Sequence, residues 1–258
     1  MRNLKPLYQQ HRPKKNMMLV GQESIKRAIL NGEQLERIYI ATSIFGAGSE
    51  ELRRLAEDKS IPVNKVPIEK LNSFNVSDHQ GSIAIRSKIL YQELQTIISF
   101  VVEKGEIPLF LILDGITDIR NIGGIARTAH CCGVHAIIIP DRGVGALNED
   151  AITTSAGALE SIAVCRVTSL LKAVEEFHLN GIKVFASDMG GEKQLDKISF
   201  SEPCAIIMGS EDKGIYPALK HAADEVFNIP MLNNFESYNV SVAAGMILYE
   251  AMRQRNFK

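Results

Sequence analysis

The stretch richest in groups that could do chemistry runs from Asp114 to Arg127: Asp-Gly-Ile-Thr-Asp-Ile-Arg-Asn-Ile-Gly-Gly-Ile-Ala-Arg. A guanidinium in such a setting can grip a phosphate or stabilise an oxygen that is losing its proton. The stretch follows the apolar run Leu109 to Leu113 and leads into an apolar and small-residue segment ending near Cys132. That pattern predicts strand, polar loop, helix, and ligands favour the loops past the carboxyl ends of such strands. On a helical wheel Ile122, Ile125, Ala126 and Ala129 share one face and Arg127 falls on the other. Gly123 and Gly124 carry no side chains, which leaves the guanidinium room to lean back toward Asn121. Alone, the segment fits a solvated arginine on an amphipathic helix better than a reactive one.

Two later loops bear on that choice. Gly209-Ser-Glu-Asp-Lys-Gly214 follows the apolar run Ala205 to Met208 and precedes a helix expected near Tyr216. Its plain reading is a strand-to-helix turn with Glu211 or Asp212 as favourable charges at a helix start. Ile229-Pro230-Met231 then leads through Phe235-Glu236-Ser237-Tyr238-Asn239-Val240-Ser241 into a final helix reaching Arg253. Ser237 or Asn239 would serve as N-cap. A cap needs one such residue, whereas three polar groups stand at Ser237, Asn239 and Ser241.

Several other chemistries find no support. The dinucleotide glycine fingerprint is missing, because Gly143-Val144-Gly145 is followed by Asn148 where a third glycine belongs. No P-loop lysine motif occurs. Cys131, Cys132, Cys165 and Cys204 make no CxxC pair and no histidine spacing accompanies them, so they read as reduced packing residues and no metal site is expected. His79 has no acidic or nucleophilic neighbour in sequence, which favours a loop hydrogen bond.

The elements that must position these groups follow from periodicity and charge. A chain of 258 residues, 45% hydrophobic, can bury a substantial core. No apolar run approaches the roughly 20 residues of a membrane span, and the start lacks a signal-peptide core, so a cytoplasmic protein is expected. The net charge of -1 is unevenly spread: residues 1 to 86 hold 14 Lys+Arg against 9 Asp+Glu, and residues 107 to 258 hold 13 against 18. The basic front suits a polyanion, although such a surplus also serves solubility.

Residues 1–16 read as a mobile basic arm. Residues 17–88 read as a small α/β module, with helices near Gln22 to Leu30, from an N-cap at Ser49, and at Ile68 to Phe74. Its strands are expected at Arg37 to Thr42, Pro62 to Val66 and Ser82 to Arg86. Residues 89–106 form a linker or helix, with Gly105 and Pro108 as stop signals. Residues 107–258 repeat strand and helix, with strands near Leu109, His135 to Ile139, Ile162 to Val167, Lys183 to Ser187, Ala205 to Met208 and Val226 to Ile229. Six strands with intervening helices imply a mostly parallel, doubly covered sheet, and direct attention to the loops 114 to 121, 140 to 148, 209 to 214 and 230 to 239.

Taken together, Asn121 with Arg127, Gly209 to Gly214, and Ile229-Pro230-Met231 with Ser237 to Ala243 closely resemble the three ordered motifs of the SpoU (TrmH) family. Thr154-Ser155-Ala156-Gly157-Ala158 resembles that family's segment between motifs one and two. Leu19-Val20-Gly21 and His79-Gln80-Gly81 resemble the substrate-binding domain of its RlmB-like branch. The resemblance implies a SPOUT fold, a parallel six-stranded sheet with a C-terminal trefoil knot. It implies S-adenosylmethionine-dependent ribose 2′-O-methylation of structured RNA by a homodimer, without a metal. The RlmB-like order points to a guanosine of 23S ribosomal RNA; a transfer-RNA enzyme and a non-catalytic ribosome-assembly factor are the alternatives. By the same resemblance Gly209, Ile229, Met231, Tyr238 and Asn239 hold the donor. Arg127 activates the hydroxyl, and Asn121, Glu211, Ser237 and Asn239 orient it, the phosphate and the donor. Two positions depart from the family pattern: Ile119 replaces a usual proline and Tyr238 a usual leucine.

Overall fold

The computed structural model describes residues 17–145, 147–233 and 237–255. The basic arm at residues 1–16 and Phe235 and Glu236 of the third motif lie outside the described residues. The chain divides into two compact units between Ser87 and Lys88, and among the described residues no helix is long and apolar enough to cross a membrane.

The first unit runs β1 (Met18–Val20), α1 (Gln22–Leu30), β2 (Leu35–Ala41), α2 (Ala47–Asp58), β3 (Val63–Val66), α3 (Ile68–Asn72) and β4 (Ser82–Arg86). Its sheet has the order β1-β4-β2-β3, with only β2 and β3 parallel. Alternation along β2 sends Ile38 and Ile40 into a core with Ile25 and Ile29 of α1 and Leu52 and Ala56 of α2. Ala41 and Tyr39 face Leu71 and Phe74 on the other side. One expectation needs correction. Helix α2 starts after Gly46, whose φ of 109° favours glycine, and Ser49 lies inside the first turn with its hydroxyl donating back to the Gly46 carbonyl at 3.1 Å. Strand β1 was not foreseen, because three residues are too few to show a period. His79 does make loop hydrogen bonds: its Nδ1 accepts from Gly81 N at 3.1 Å, and its Nε2 faces Asn72 Oδ1 at 3.0 Å.

The second unit contains α4 (Leu94–Glu103), β5 (Leu109–Asp114), α5 (Ile119–Cys131), β6 (Ala136–Pro140), α6 (Glu149–Thr154), α7 (Ala158–Ser161) and β7 (Ala163–Val167). It continues with α8 (Leu170–Leu179), β8 (Lys183–Ser187), β9 (Lys193–Gln194), β10 (Cys204–Gly209), α9 (Pro217–His221), β11 (Glu225–Asn228) and α10 (Val240–Gln254). Every strand pair in its sheet is parallel, in the order β7-β6-β5-β10-β8-β11-β9.

Among the described residues the sheet therefore has seven strands, not six. The extra one, β9, is two exposed residues that gain strand geometry only by pairing with β11, and no hydrophobic period marks them. The central strands read as unbroken apolar runs because both faces are covered. Leu109, Leu111 and Leu113 of β5 point toward α5 and α10, whereas Phe110 and Ile112 point toward α4 and α8. Helix α4, inside the stretch read as linker or helix, buries Leu94, Ile97, Ile98 and Val101 in that second layer. Cys165 and Cys204 are buried and unpaired, and burial pushes their thiols up to about 12 and about 11 respectively.

Candidate active site

Strands β5 and β10 run side by side, with Gly209 opposite Asp114, so the loops leaving them open at the same edge. Asp114 fixes the start of the next element across the gap, accepting from Tyr216 N at 2.6 Å. Helix α5 begins at Ile119 under an Asp118 cap that accepts from Arg120 N at 2.9 Å. The Arg120 guanidinium also bonds Asp118 and holds its carboxyl below the usual carboxylate range. Ile119 thus occupies the first helical position, where proline would also fit, and the cap forms without it.

Ile122, Ile125, Ala126 and Ala129 form the buried face of α5, as the wheel predicts, and Arg127 is exposed. The glycines do something other than make room for the arginine. A Cβ at Gly123 would lie 2.7 Å from Thr154 Cβ and 3.0 Å from Ser155 N, and one at Gly124 would lie 3.4 Å from Ser241 Cβ. They let α6 and α10 close onto α5. The Thr154 to Ala158 segment is accordingly a packing surface, turning through Ala156 (φ 51°) and Gly157 (φ 85°).

One carboxylate oxygen joins the three loops. Glu211 Oε1 accepts from Asn121 Nδ2 at 3.2 Å, from Asn239 Nδ2 at 2.6 Å and from Val240 N at 3.0 Å. Asn239 Nδ2 also donates to Asn121 Oδ1 at 3.1 Å. The Asn239 Oδ1 caps α10, accepting from Ser241 N at 3.0 Å and from the Ser241 hydroxyl. Of the two cap candidates, Asn239 serves. Among the described residues neither Arg127 nor Ser237 makes a hydrogen bond or ion pair; both stand outside this network.

The remaining residues expected at the donor line the next strand ends. Gly209 tolerates no side chain, since a Cβ would fall 2.2 Å from the Gly214 carbonyl carbon in the turn closed by Gly214 N donating to Ser210 O at 2.9 Å. Ile229 and Met231 follow β11, and among the described residues their backbone N–H and C=O groups have no backbone partner. Tyr238 reaches back to them, its hydroxyl donating to Pro230 O at 3.3 Å. An edge with free main-chain donors and acceptors flanked by glycine turns suits a nucleoside held by backbone groups. Among the described residues no cluster of three His, Cys, Asp or Glu side chains is placed to hold a metal.

One loop at this edge drew no attention in the sequence. Strand β8 lies between β10 and β11, so Asp188 to Glu192 emerges between the Gly209 and Ile229 loops. It offers no glycine fingerprint or polar motif, and only the strand order reveals its position.

A parallel sheet with polar loops gathered at its carboxyl edge defines an α/β protein with a candidate ligand site assembled from three separated segments. Comparison with known proteins narrows this. Residues 108–249 match the SpoU rRNA Methylase family, and the chain belongs to it. The Bacillus subtilis protein YacO, named for the TrmH family of tRNA/rRNA methyltransferases, is 33% identical over 238 residues, spanning 92% of this chain and 96% of that protein. The SpoU methyltransferase AviRb from Streptomyces viridochromogenes, solved with AdoMet, shares the fold with a TM-score of 0.58 at 24% identity, over 92% of this chain and 90% of that one. A structure titled RNA 2′-O ribose methyltransferase matches with a TM-score of 0.54 at 23% identity, over 92% and 88%.

Proposed function

We propose that this protein is an S-adenosylmethionine-dependent RNA methyltransferase that methylates a ribose 2′-hydroxyl, acting on ribosomal RNA in the cytoplasm as a homodimer. The observation that carries the reading is the Asn121–Glu211–Asn239 junction, which brings the three family motifs to one edge, while Arg127, further along α5, has no partner among the described residues. AviRb binds AdoMet on the same fold, and the free backbone of Ile229 and Met231 with the Gly209 turn fits that donor's nucleoside. When bound, S-adenosylmethionine supplies a methyl already activated on a sulfonium, so alignment and proton removal are what remain for the protein.

The residues divide that work. Glu211 and Asn239 lock the loops so that donor and hydroxyl meet in one geometry. Arg127 faces the hydroxyl. A guanidinium keeps its proton in water and is a poor base, so Arg127 acts by stabilising the developing alkoxide while the hydroxyl proton passes to solvent. Ser237, without a partner among the described residues, is available to the RNA backbone. The homodimer draws support from α10, the helix that Asn239 caps: Val242, Met246 and Tyr249 form an exposed apolar stripe at helical spacing. The trefoil knot draws support from the strand order, which takes the chain across β8 from β9 to β10 and back again to β11. The first unit, with the basic residues 1–16 that precede it in sequence, serves as the RNA-binding part, and RNA affinity should fall as salt is added.

The test is incubation with labelled S-adenosylmethionine and either ribosomal RNA or transfer RNA lacking modifications. Label in 23S ribosomal RNA is expected. Label only in transfer RNA would move the substrate assignment, and donor binding without label in any RNA would make the protein an assembly factor.

A further inference from the structure

Among the described residues, one oxygen of the Asp188 carboxylate is unpartnered, at the end of the strand between the Gly209 and Ile229 loops. Asp188 is anchored from several sides: its backbone N donates to Phe227 O at 2.9 Å, and its Oδ1 accepts from Gly190 N at 2.9 Å and from Lys220 Nζ at 3.2 Å. The following loop lies flat on β11, because a Cβ at Gly191 would sit 2.5 Å from the Phe227 carbonyl carbon, and Asn228 Nδ2 donates to Gly191 O at 2.6 Å. The second carboxylate oxygen, Oδ2, has no hydrogen-bond partner among the described residues. It points to the Gly209–Gly214 turn, 3.5 Å from where a Gly214 Cβ would be, and the side chain is 18% exposed. An immobilised acceptor, reachable from solvent and set between the Gly209 and Ile229 loops, is placed to bind a ligand rather than to hold the fold.

We propose that Asp188 Oδ2 is a donor-binding group that accepts hydrogen bonds from the ribose hydroxyls of the nucleoside held at this edge. The inference rests on the donor site described above. The choice of ribose over an ammonium group follows from Lys220. Its Nζ already compensates the carboxylate charge, and a second cation brought beside it would be repelled. Neutral hydroxyls meet no such repulsion, and an acidic side chain on ribose hydroxyls is a recurrent solution at the carboxyl edge of parallel sheets. Gly214, with φ 65° and no side chain, leaves that oxygen uncovered.

The test is calorimetric binding, on the full chain, of 5′-methylthioadenosine and its 2′,3′-dideoxy form, which share the adenine and thioether and differ only in the hydroxyls. The wild-type protein should bind the ribose form at least tenfold more tightly. Asp188→Asn, which keeps the side-chain shape and an oxygen for Gly190 N, should weaken the ribose form about tenfold, leave the dideoxy form within twofold, and so erase the difference. Discrimination retained in Asp188→Asn would overturn the proposal. So would equal wild-type affinity for the two ligands, a result that needs no variant to fold. Binding of neither ligand by the wild-type protein would overturn the donor-site reading itself, and the inference with it.

Discussion

Two arginines of the second unit are used in opposite ways. Arg255, just past α10, sits at the amino ends of β5 and β10, where its guanidinium donates to the carbonyls of Ile107, Pro108, Phe200 and Glu202 at 2.7 to 2.9 Å. It also contacts Cys204 Sγ at 3.3 Å, and burial lowers its pKa from the ordinary arginine value. Arg127, on the outward face of α5, is exposed and has no partner among the described residues. The first arginine pins the end of α10 to the sheet. The second is held in place only by its helix, and so remains available to a substrate.

That difference can be broken from either side. Arg127→Ala should lower methyl transfer at least about 100-fold, as loss of one oxyanion-stabilising group does, with the urea midpoint unchanged; label unaffected by the substitution would remove Arg127 from the mechanism. Arg255→Ala should do the reverse, costing about 3 kcal/mol in urea unfolding because carbonyls at the sheet's lower edge lose a charged donor. Donor binding by the folded variant should survive. Gly123→Ala tests the packing that carries Arg127: overpacking against Thr154 should outweigh the gain in helix propensity and leave a net loss of about 1 to 2 kcal/mol. Glu211→Ala should cut turnover about tenfold and stability by about 1 kcal/mol, the junction being solvent-exposed.

The smallest effect lies on α10 near Arg255. Glu250 is held down to about 2 by the Arg253 guanidinium, helped by the Gln254 amide. Its folded pKa is below the ordinary value of ~4.3, so its contribution is complete above that value and is lost as pH falls toward 2. Urea midpoints between pH 5 and pH 3 should therefore fall less steeply in Glu250→Gln than in the wild-type protein.

Much of this was legible in the residues, and the gaps have physical causes. The buried face of α5 was readable because a helix of alternating apolar and small residues has one solution on the wheel. The role of Gly123 and Gly124 was not, because their partners Thr154 and Ser241 are distant in sequence. Asn121, Glu211 and Asn239 could be grouped by resemblance, but that a single Glu211 oxygen ties them needed coordinates. Strand-helix alternation predicts a parallel sheet yet is silent on strand order. Since β10 inserts between β5 and β8, the loop carrying Asp188 falls in the middle of the site unannounced. Ser49 misled because a hydroxyl before an apolar period looks like a cap, whereas the positive φ of Gly46 starts α2.

The central claim, that this edge delivers a methyl to a ribose oxygen, is tested most directly by nucleoside mass spectrometry of unmodified ribosomal RNA after incubation with the protein and S-adenosylmethionine. The account predicts a single new 2′-O-methylated nucleoside, absent when Arg127→Ala replaces the wild-type protein. A methyl on a base, or no methyl despite donor binding, would contradict it.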